Sequence, residues 1–275
     1  MRSLTTPAEL LAVDAHQRRE QSDELATEEP LQIQLASGNG PRNVAVTMRT
    51  PGSDFELAAG FLYSESIVSE RDNIREITYC IDPNIGGEQQ YNIVTVDLHD
   101  APSALERLER HFTMNSSCGV CGKAAIDDLA LRAQPIEDEL VVSAGLLTSL
   151  PDRMRAAQKI FSSTGGLHAA ALFDNRGELR VLREDVGRHN ALDKVVGWAL
   201  LNDRLPLRHT ILLVSGRASY ELVQKCVTAQ IPIMCAVSAP SSLAVETARA
   251  FGLTLAGFLR GQTFNVYGGA QRIAL

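Results

Sequence analysis

Residues 210–258 read TILLVSGRASYELVQKCVTAQIPIMCAVSAPSSLAVETARAFGLTLAGF, and in them short apolar runs alternate with stretches that favour helix. The apolar runs are 210–214, 233–237 and 254–258, and the helical stretches are 220–229 and 244–250. This alternation is typical of a parallel sheet that helices cover on both faces. We therefore predict an α/β fold with a mixed, mostly parallel sheet. Ligands of such sheets usually bind beyond the carboxyl ends of the strands.

The rest of the chain divides into regions of different pattern. Alternating apolar residues predict strands, and apolar residues three or four apart predict helices. The predicted strands are 31–35, 43–48, 74–81, 91–98, 169–173 and 180–183, and the predicted helices are 55–63, 154–161 and 191–201. The predicted organisation is a flexible N-terminal tail at 1–29 with at most one short helix, a small α+β domain at 30–112, a loop at 113–123, and the α/β domain at 124–275.

Composition narrows the class of protein. The 275 residues carry a formal net charge of -7, which argues against broad binding to nucleic acid or to an anionic membrane. No apolar run approaches the roughly 20 residues of a membrane-spanning helix. Arg18 and Arg19 are followed by polar and acidic residues rather than by the apolar segment of a secretion signal. A cytoplasmic, reducing location is the resulting expectation.

The cysteines fall into two groups. Five is an odd number, so a complete set of disulfides within one chain is impossible. Cys80, Cys226 and Cys235 have apolar neighbours and are predicted to be small hydrophobic side chains. Cys118 and Cys121 lie instead in the polar stretch Ser116-Ser-Cys-Gly-Val-Cys-Gly-Lys123. A following helix and Lys123 would stabilise a thiolate there, which is the nucleophilic form.

The Cys118–Cys121 pair alone leaves three interpretations open. It could be half of a zinc site, but no second CxxC or HxxxH completes four ligands, and no metal site is predicted. It could be a dithiol redox pair, although a thioredoxin motif would follow the first strand of its fold. It could also relay sulfur, because one thiol can attack a persulfide on the other.

His168 lies in Thr164-Gly-Gly-Leu-His168-Ala-Ala170 at the start of a predicted strand. A zinc-dependent deaminase would have His-x-Glu here and Pro-Cys-x-x-Cys downstream. Ala170 stands where the glutamate would be, and the CxxC lies upstream. A deaminase-like scaffold is compatible with this pattern, whereas deamination is not. A histidine within the core is the alternative for His168.

Arginines occupy the turns that follow the predicted strands. Arg188 lies in Arg183-Glu-Asp-Val-Gly-Arg-His-Asn190 before a helix, and Arg217 and Arg260 follow later strands. Guanidinium groups and helix N-termini bind phosphate, and Phe264 or Tyr267 could stack on a ring. These turns predict a pocket for a polyanionic, ring-bearing small molecule. Helix capping is the alternative for the serines of the same turns.

Taken in order, these motifs resemble the formate dehydrogenase accessory sulfurtransferases, the FdhD family. The matching pieces span nearly the whole folded length, from about Leu31 to Tyr267. They are Ser117-Cys118-Gly-Val-Cys121-Gly, Thr164-Gly-Gly-Leu-His168, Glu184-Asp-Val-Gly-Arg-His-Asn-Ala-Leu-Asp-Lys194, Val214-Ser-Gly-Arg217 and Gly257-Phe-Leu-Arg260-Gly.

The resemblance implies a sulfurtransferase that carries sulfur as a persulfide on Cys118, with Cys121 as the partner thiol. It implies a cysteine desulfurase as donor and the molybdenum cofactor, a bis(molybdopterin guanine dinucleotide), as bound substrate, with GDP or GMP able to mimic it. The sulfurated cofactor would pass to the formate dehydrogenase apoprotein. A homodimer, no permanent cofactor and a cytidine-deaminase-like second domain are also implied.

The resemblance and the arginine-rich turns together predict the cofactor-binding residues. Gln262 departs from the charged residue expected in many relatives. The predicted binding residues are Phe258, Leu259, Arg260, Gly261, Gln262, Thr263, Arg217, Arg188, His189 and His168.

Overall fold

The structure, a computed structural model, describes residues 3–36, 40–80, 84–99 and 122–275. It begins with an antiparallel hairpin of β1 (Thr5–Val13) and β2 (Arg18–Ala26). The prediction of a flexible tail at 1–29 was therefore wrong. Neither strand has a fully buried residue. Their sequences therefore do not alternate between apolar and polar residues, which is the pattern that predicts a half-buried strand.

A four-stranded sheet and a helix form the next unit. Its elements are β3 (Glu29–Leu35), β4 (Arg42–Arg49), α1 (Asp54–Ser64), β5 (Ile74–Tyr79), the short α2 (Gly87–Gln90) and β6 (Ile93–Leu98). The strand order is β4-β3-β6-β5, and only β3 and β6 are parallel. Leu31, Ile33 and Leu35 all lie in the core that α1 covers. The predicted hairpin, helix and two strands are thus confirmed.

The remaining elements build a larger body. They are α3 (Gly122–Ala130), β7 (Val142–Ser143), α4 (Ala144–Ala157), α5 (Lys159–Thr164), β8 (His168–Asp174), β9 (Leu179–Asp185), α6 (Arg188–Leu201), β10 (Thr210–Val214), α7 (Tyr220–Thr228), β11 (Ile233–Ala236), α8 (Ser242–Ala250), β12 (Thr254–Arg260), β13 (Thr263–Gly268) and β14 (Ile273–Ala274). The predicted helix at 154–161 is interrupted: α4 ends at Ala157, and α5 begins after Gln158.

Six of these strands form one sheet in the order β13-β12-β11-β10-β8-β9. The mixed α/β class is confirmed, but the prediction of a mostly parallel sheet was wrong, because three of the five strand pairings are antiparallel. The parallel pairings are confined to the three strands of residues 210–260. The outer pairings β8–β9 and β12–β13 are antiparallel because a short turn joins each pair, and β8 also runs antiparallel to β10.

Side chains of the central strands alternate between two cores. Ile211 and Leu213 point to the side of α4, whereas Leu212 and Val214 belong to the core that contains α6, α7 and α8 residues. Helices therefore cover both faces, which explains why these strands are continuously apolar. The likeness of this layered body to the cytidine deaminase fold stays a prediction, as do the boundaries at 30, 112 and 124.

Helices α1 and α6 join the two bodies at a pair of glycines. A β-carbon on Gly60 would overlap the backbone carbonyl of Asp193 and lie 2.7 Å from the Gly197 nitrogen. One on Gly197 would overlap the Glu56 carbonyl. The helix backbones are thus in direct contact, which only glycine at both positions permits.

Candidate functional site

The predicted motifs lie along one edge of the six-stranded sheet. His168 begins β8, Ser215 follows β10, and the Ala169 N–H donates to Ser215 Oγ at 2.9 Å. Further along the edge, Val237 N donates to the Val214 carbonyl at 3.1 Å and Phe258 N donates to the Ser238 carbonyl at 3.1 Å. The carboxyl ends of β10, β11 and β12 therefore meet the amino end of β8.

Arg188, the first residue of α6, lies close to His168. A β-carbon on Gly216 would be 3.4 Å from His168 Nδ1 and 3.6 Å from Arg188 Cδ, so glycine leaves room for both side chains. Burial first, and the Arg188 charge second, lower the pKa of His168. His168 is therefore neutral near pH 7, with one ring nitrogen free to accept a hydrogen bond.

Arg188 also carries an unsatisfied donor. Its Nε is buried and has no hydrogen-bond partner among the described residues. A buried guanidinium nitrogen without an acceptor is costly, and an anion at this edge would satisfy it. This makes Arg188 the best-supported anion-binding residue of the predicted set.

His189 points toward the start of α7. Its Nε2 lies 3.2 Å from Ser219 Oγ and 3.7 Å from a Glu221 carboxylate oxygen. Burial and the neighbouring Arg188 charge lower the pKa of His189, so this imidazole is also neutral near pH 7. His189 thus borders the same edge and is already engaged by Ser219.

Most of the other polar residues of the 183–190 run hold the fold together. Asp185 is fully buried and accepts from Thr50 N at 3.2 Å, Gly187 N at 2.8 Å and Lys194 Nζ at 2.7 Å. Glu184 accepts from the Ile160 and Phe161 N–H groups that open α5. Carboxylates that bridge distant segments are not available to a ligand, so Glu184 and Asp185 serve the fold.

The C-terminal stretch 258–263 forms the end of β12, the turn and the start of β13. Phe258 and Gly261 both have φ of +55°, and the Arg260 guanidinium lies 5.9 Å from the centre of the Phe258 ring. Arg260, Gly261, Gln262 and Thr263 are exposed, as is Arg217. Leu259 is fully buried in the core, so its side chain does not face a ligand.

Ser241 illustrates the alternative role that the turn serines can play. Its Oγ accepts from Ala244 N at 3.3 Å at the start of α8. Ser241 is therefore a helix cap. Ser219, at the start of α7, makes no such cap, which agrees with its contact to His189.

The predicted sulfur-carrying residues Cys118 and Cys121 lie outside the described residues. The described chain resumes at α3, where the Ala125 carbonyl accepts from the Tyr220 hydroxyl at 2.9 Å. Tyr220 opens α7 beside Ser219. This hydrogen bond ties the helix that follows the CxxC motif to the edge that carries His168 and Arg188.

Cys226 and Cys235 are poor candidates for sulfur chemistry. Cys226 and Cys235 are buried in the two cores, as predicted, and Cys80 is half-buried. Burial raises the pKa of the Cys226 thiol well above its usual range and that of Cys235 to about 12. Both thiols therefore stay protonated and unreactive near pH 7.

The sequence did not predict the residues that line a cavity next to His168. The cavity has a volume of about 610 Å³, and its lining includes Arg155, Gln158 and Phe161 together with His168 and Ser215. These three wall residues lie at the α4–α5 junction, which was predicted as one uninterrupted helix. The Gly165-Gly166 pair marks the end of α5, but it gives no signal of the break at Gln158.

No helix in the described ranges is long and apolar enough to cross a membrane. Within the same ranges, no group of three or more His, Cys, Asp or Glu side chains is arranged to hold a metal ion.

Comparisons with known proteins agree with these motifs. The family model for the FdhD/NarQ family matches residues 26–274. The sulfur carrier protein FdhD of Streptomyces avermitilis is 54% identical over 259 residues, which are 92% of this chain and 90% of that protein. The Mycobacterium tuberculosis protein of the same name is 51% identical over 90% of this chain and 91% of its own length.

A more distant relative and a solved structure extend the comparison. The Thermoplasma volcanium sulfur carrier protein FdhD is 44% identical over all of this chain and 98% of its own. A Desulfotalea psychrophila crystal structure, provisionally named a formate dehydrogenase accessory protein, matches with a TM-score of 0.76 at 24% identity, covering 99% of this chain and 100% of that one. That likeness shows the fold alone. With a family match across most of its length and relatives above 50% identity, the chain belongs to the FdhD/NarQ family.

Proposed function

We propose that this chain is a sulfur carrier, a sulfurtransferase that supports formate dehydrogenase activity. The observation that carries the proposal is the 54% identity to a named sulfur carrier protein over about nine tenths of both chains. Two of the described thiols, Cys226 and Cys235, offer no rival, since both are buried and held protonated. We therefore assign the carrier role to Cys118, with Cys121 as its partner.

The first step is persulfide exchange. The Cys118 thiolate attacks the outer sulfur of a persulfide on a cysteine desulfurase, a new S–S bond forms on Cys118, and the desulfurase cysteine leaves as a thiolate. In the second step the outer sulfur is delivered to the molybdenum cofactor. If sulfur leaves as hydrosulfide, attack by the Cys121 thiolate on Cys118 supplies the two electrons and leaves a Cys118–Cys121 disulfide.

The acceptor in this proposal is the bis(molybdopterin guanine dinucleotide) cofactor, bound as substrate along the sheet edge. Support comes from the buried Arg188 Nε, which has no hydrogen-bond partner in the part of the chain that the structure describes, and from the exposed Arg217 and Arg260 on neighbouring turns. Pyrophosphate groups suit guanidinium donors. An acidic protein needs such local positive charge to hold a polyanion. The proposed partners are a cysteine desulfurase, a formate dehydrogenase apoprotein and a second copy of the chain, in the cytoplasm.

Intact-mass spectrometry tests the carrier role. After incubation with a cysteine desulfurase and L-cysteine, the protein is expected to gain about 32 Da, the mass of one persulfide sulfur, and to lose it again with dithiothreitol. Cys118→Ser is expected to abolish the gain because serine cannot hold a sulfane sulfur. Cys80→Ser is the matched control and should keep it. Full loading of Cys118→Ser would refute the assignment.

Arg260→Ala tests the proposed cofactor edge. Loss of one exposed guanidinium is expected to weaken binding of GDP about five- to tenfold by calorimetry at low salt, and less at high salt, because the contact is electrostatic. Arg176→Ala, which removes an exposed arginine from the β8–β9 turn, is the control and should leave affinity unchanged. Equal affinities for Arg260→Ala and the unmodified protein would contradict the assignment.

A further inference from the structure

A narrow gap lies between the side chains of His168 and Arg188 where they pass Gly216. A β-carbon on Gly216 would be 3.4 Å from His168 Nδ1, 3.5 Å from His168 Cε1 and 3.6 Å from Arg188 Cδ. These are ordinary van der Waals distances, so one heavy atom on the glycine side of the gap touches both walls. A space of this width suits a ligand of one heavy atom.

Arg188 turns an unsatisfied donor toward this gap. Its Nε is bonded to Cδ, the atom that forms one wall. Among the residues that the structure describes, no hydrogen-bond acceptor reaches this Nε, although the atom is fully buried. A buried guanidinium N–H without an acceptor is costly, and guanidinium donors make their strongest hydrogen bonds to anions. The Nε–H therefore favours a small anion beside Cδ.

The charges around the gap favour a single negative charge. Arg188 opens α6, and the cap residue Gly187 makes no side-chain hydrogen bond to the first turn, so the positive end of the helix adds to the guanidinium charge. Burial first, and the Arg188 charge second, lower the pKa of His168, whereas Asp185 opposes this shift. Lys194 Nζ lies 2.7 Å from the Asp185 carboxylate and offsets its charge. The neutral His168 ring can offer Nδ1 as an acceptor.

The motif assigned to sulfur chemistry is tied to the same place. Cys121 directly precedes α3 in the sequence, and the Tyr220 hydroxyl donates to a carbonyl of α3 at 2.9 Å. Ser219, the neighbour of Tyr220, lies 3.2 Å from Nε2 of His189, the residue after Arg188. A small sulfur anion released by the motif thus has a cationic donor in its neighbourhood.

We propose that the gap between His168 and Arg188 binds hydrosulfide, the leaving group of the carrier reaction. The inference rests on the proposed function. The Cys121 thiolate attacks the inner sulfur of the Cys118 persulfide, the persulfide S–S bond breaks, and a Cys118–Cys121 disulfide forms. The outer sulfur leaves with the electron pair of the broken bond and with its proton. The resulting anion accepts from the Arg188 Nε–H and donates its S–H to His168 Nδ1.

Nuclear magnetic resonance on the full, reduced chain tests the proposal, with ¹⁵N-labelled arginine and sodium hydrosulfide as the probe in the absence of oxygen. One Nε–H signal is expected to shift saturably, and Arg188→Gln, which removes that signal, identifies it. Chloride is of comparable size but has no proton for His168 Nδ1, so it is expected to bind at least about tenfold more weakly.

Two variants test the position of the anion. Gly216→Ala places a methyl group in the gap at ordinary contact distances, so it should keep the Arg188 signal and weaken hydrosulfide binding by roughly tenfold or more. With ¹⁵N-labelled histidine, the His168 ring reports binding in Arg188→Gln, which should lose roughly tenfold or more in affinity. Gly145→Ala is the matched control, because a β-carbon there meets nothing within 4 Å, and it should bind hydrosulfide as the unmodified protein does.

Three results would each overturn the inference. They are an Arg188 signal that does not respond to hydrosulfide, equal affinities for hydrosulfide and chloride, and equal hydrosulfide affinities for Gly216→Ala and Gly145→Ala. Loading of Cys118 by a desulfurase involves no free hydrosulfide. A protein that gains the persulfide mass but does not bind hydrosulfide would therefore refute this site and leave the carrier role standing, and the converse result would refute the carrier role.

Discussion

Gly60→Ala is expected to lower the free energy of unfolding by about 4 kcal/mol or more, enough to leave much of the protein insoluble. The added methyl group would overlap the Asp193 carbonyl and meet the Gly197 nitrogen at 2.7 Å. Backbone atoms of a packed helix cannot move aside as a flexible side chain can, so α1 and α6 must separate. Gly197→Ala should do the same through the Glu56 carbonyl.

Urea unfolding followed by circular dichroism measures the effect. Gly145→Ala is the matched control: Gly145 lies in the first turn of α4, and a β-carbon there meets nothing within 4 Å. Alanine at 145 should leave stability unchanged or raise it slightly, because alanine favours helix over glycine. A Gly60→Ala protein as stable as the Gly145→Ala protein would show that the two helices are not in contact.

The central strands were predictable because both of their faces are buried. Leu212 and Leu213 point to opposite cores, so continuous apolarity carried the signal. The β1–β2 hairpin gave no such signal, since it buries neither face fully. The α4–α5 break at Gln158 was also invisible: its stabilising contact comes from Glu184, which caps α5 from a separate strand.

The candidate site was predictable to the extent that it depends on strand ends. His168 was predicted at the start of a strand and Arg188 in a turn after one, and the structure brings the two side chains together. The sequence could not show that Asp185 holds the fold together instead of facing the site, because its partner Thr50 lies 135 residues away. Leu259 and Arg260 are neighbours in one motif, and only the structure shows that Leu259 is buried whereas Arg260 is exposed. The predicted roles of Cys118 and Cys121 stay predictions.

A buried ion pair joins three helices next to the site. Lys225 Nζ of α7 donates to both Asp193 carboxylate oxygens, at 2.7 and 2.9 Å, and Ser64 Oγ of α1 donates to Oδ1 at 2.9 Å. Lys225→Met is expected to cost about 3–5 kcal/mol at pH 7.5, because it leaves the Asp193 carboxylate buried without its cation. Urea unfolding at fixed pH measures this loss.

The pH dependence of that loss identifies its cause. Burial raises the pKa of Asp193, and the Lys225 charge opposes the rise, so the pKa is higher still without Lys225. A folded-state pKa above the unfolded value means that the folded state binds the proton more tightly. The free energy of unfolding of Lys225→Met should therefore rise as pH falls through the raised pKa of Asp193, and its difference from that of the unmodified protein should become smaller.

The double variant Asp193→Leu/Lys225→Met removes both charges and should recover most of the stability at pH 7.5. A loss that is the same at pH 5.5 and 7.5, with no recovery in the double variant, would point to lost packing of the lysine side chain instead.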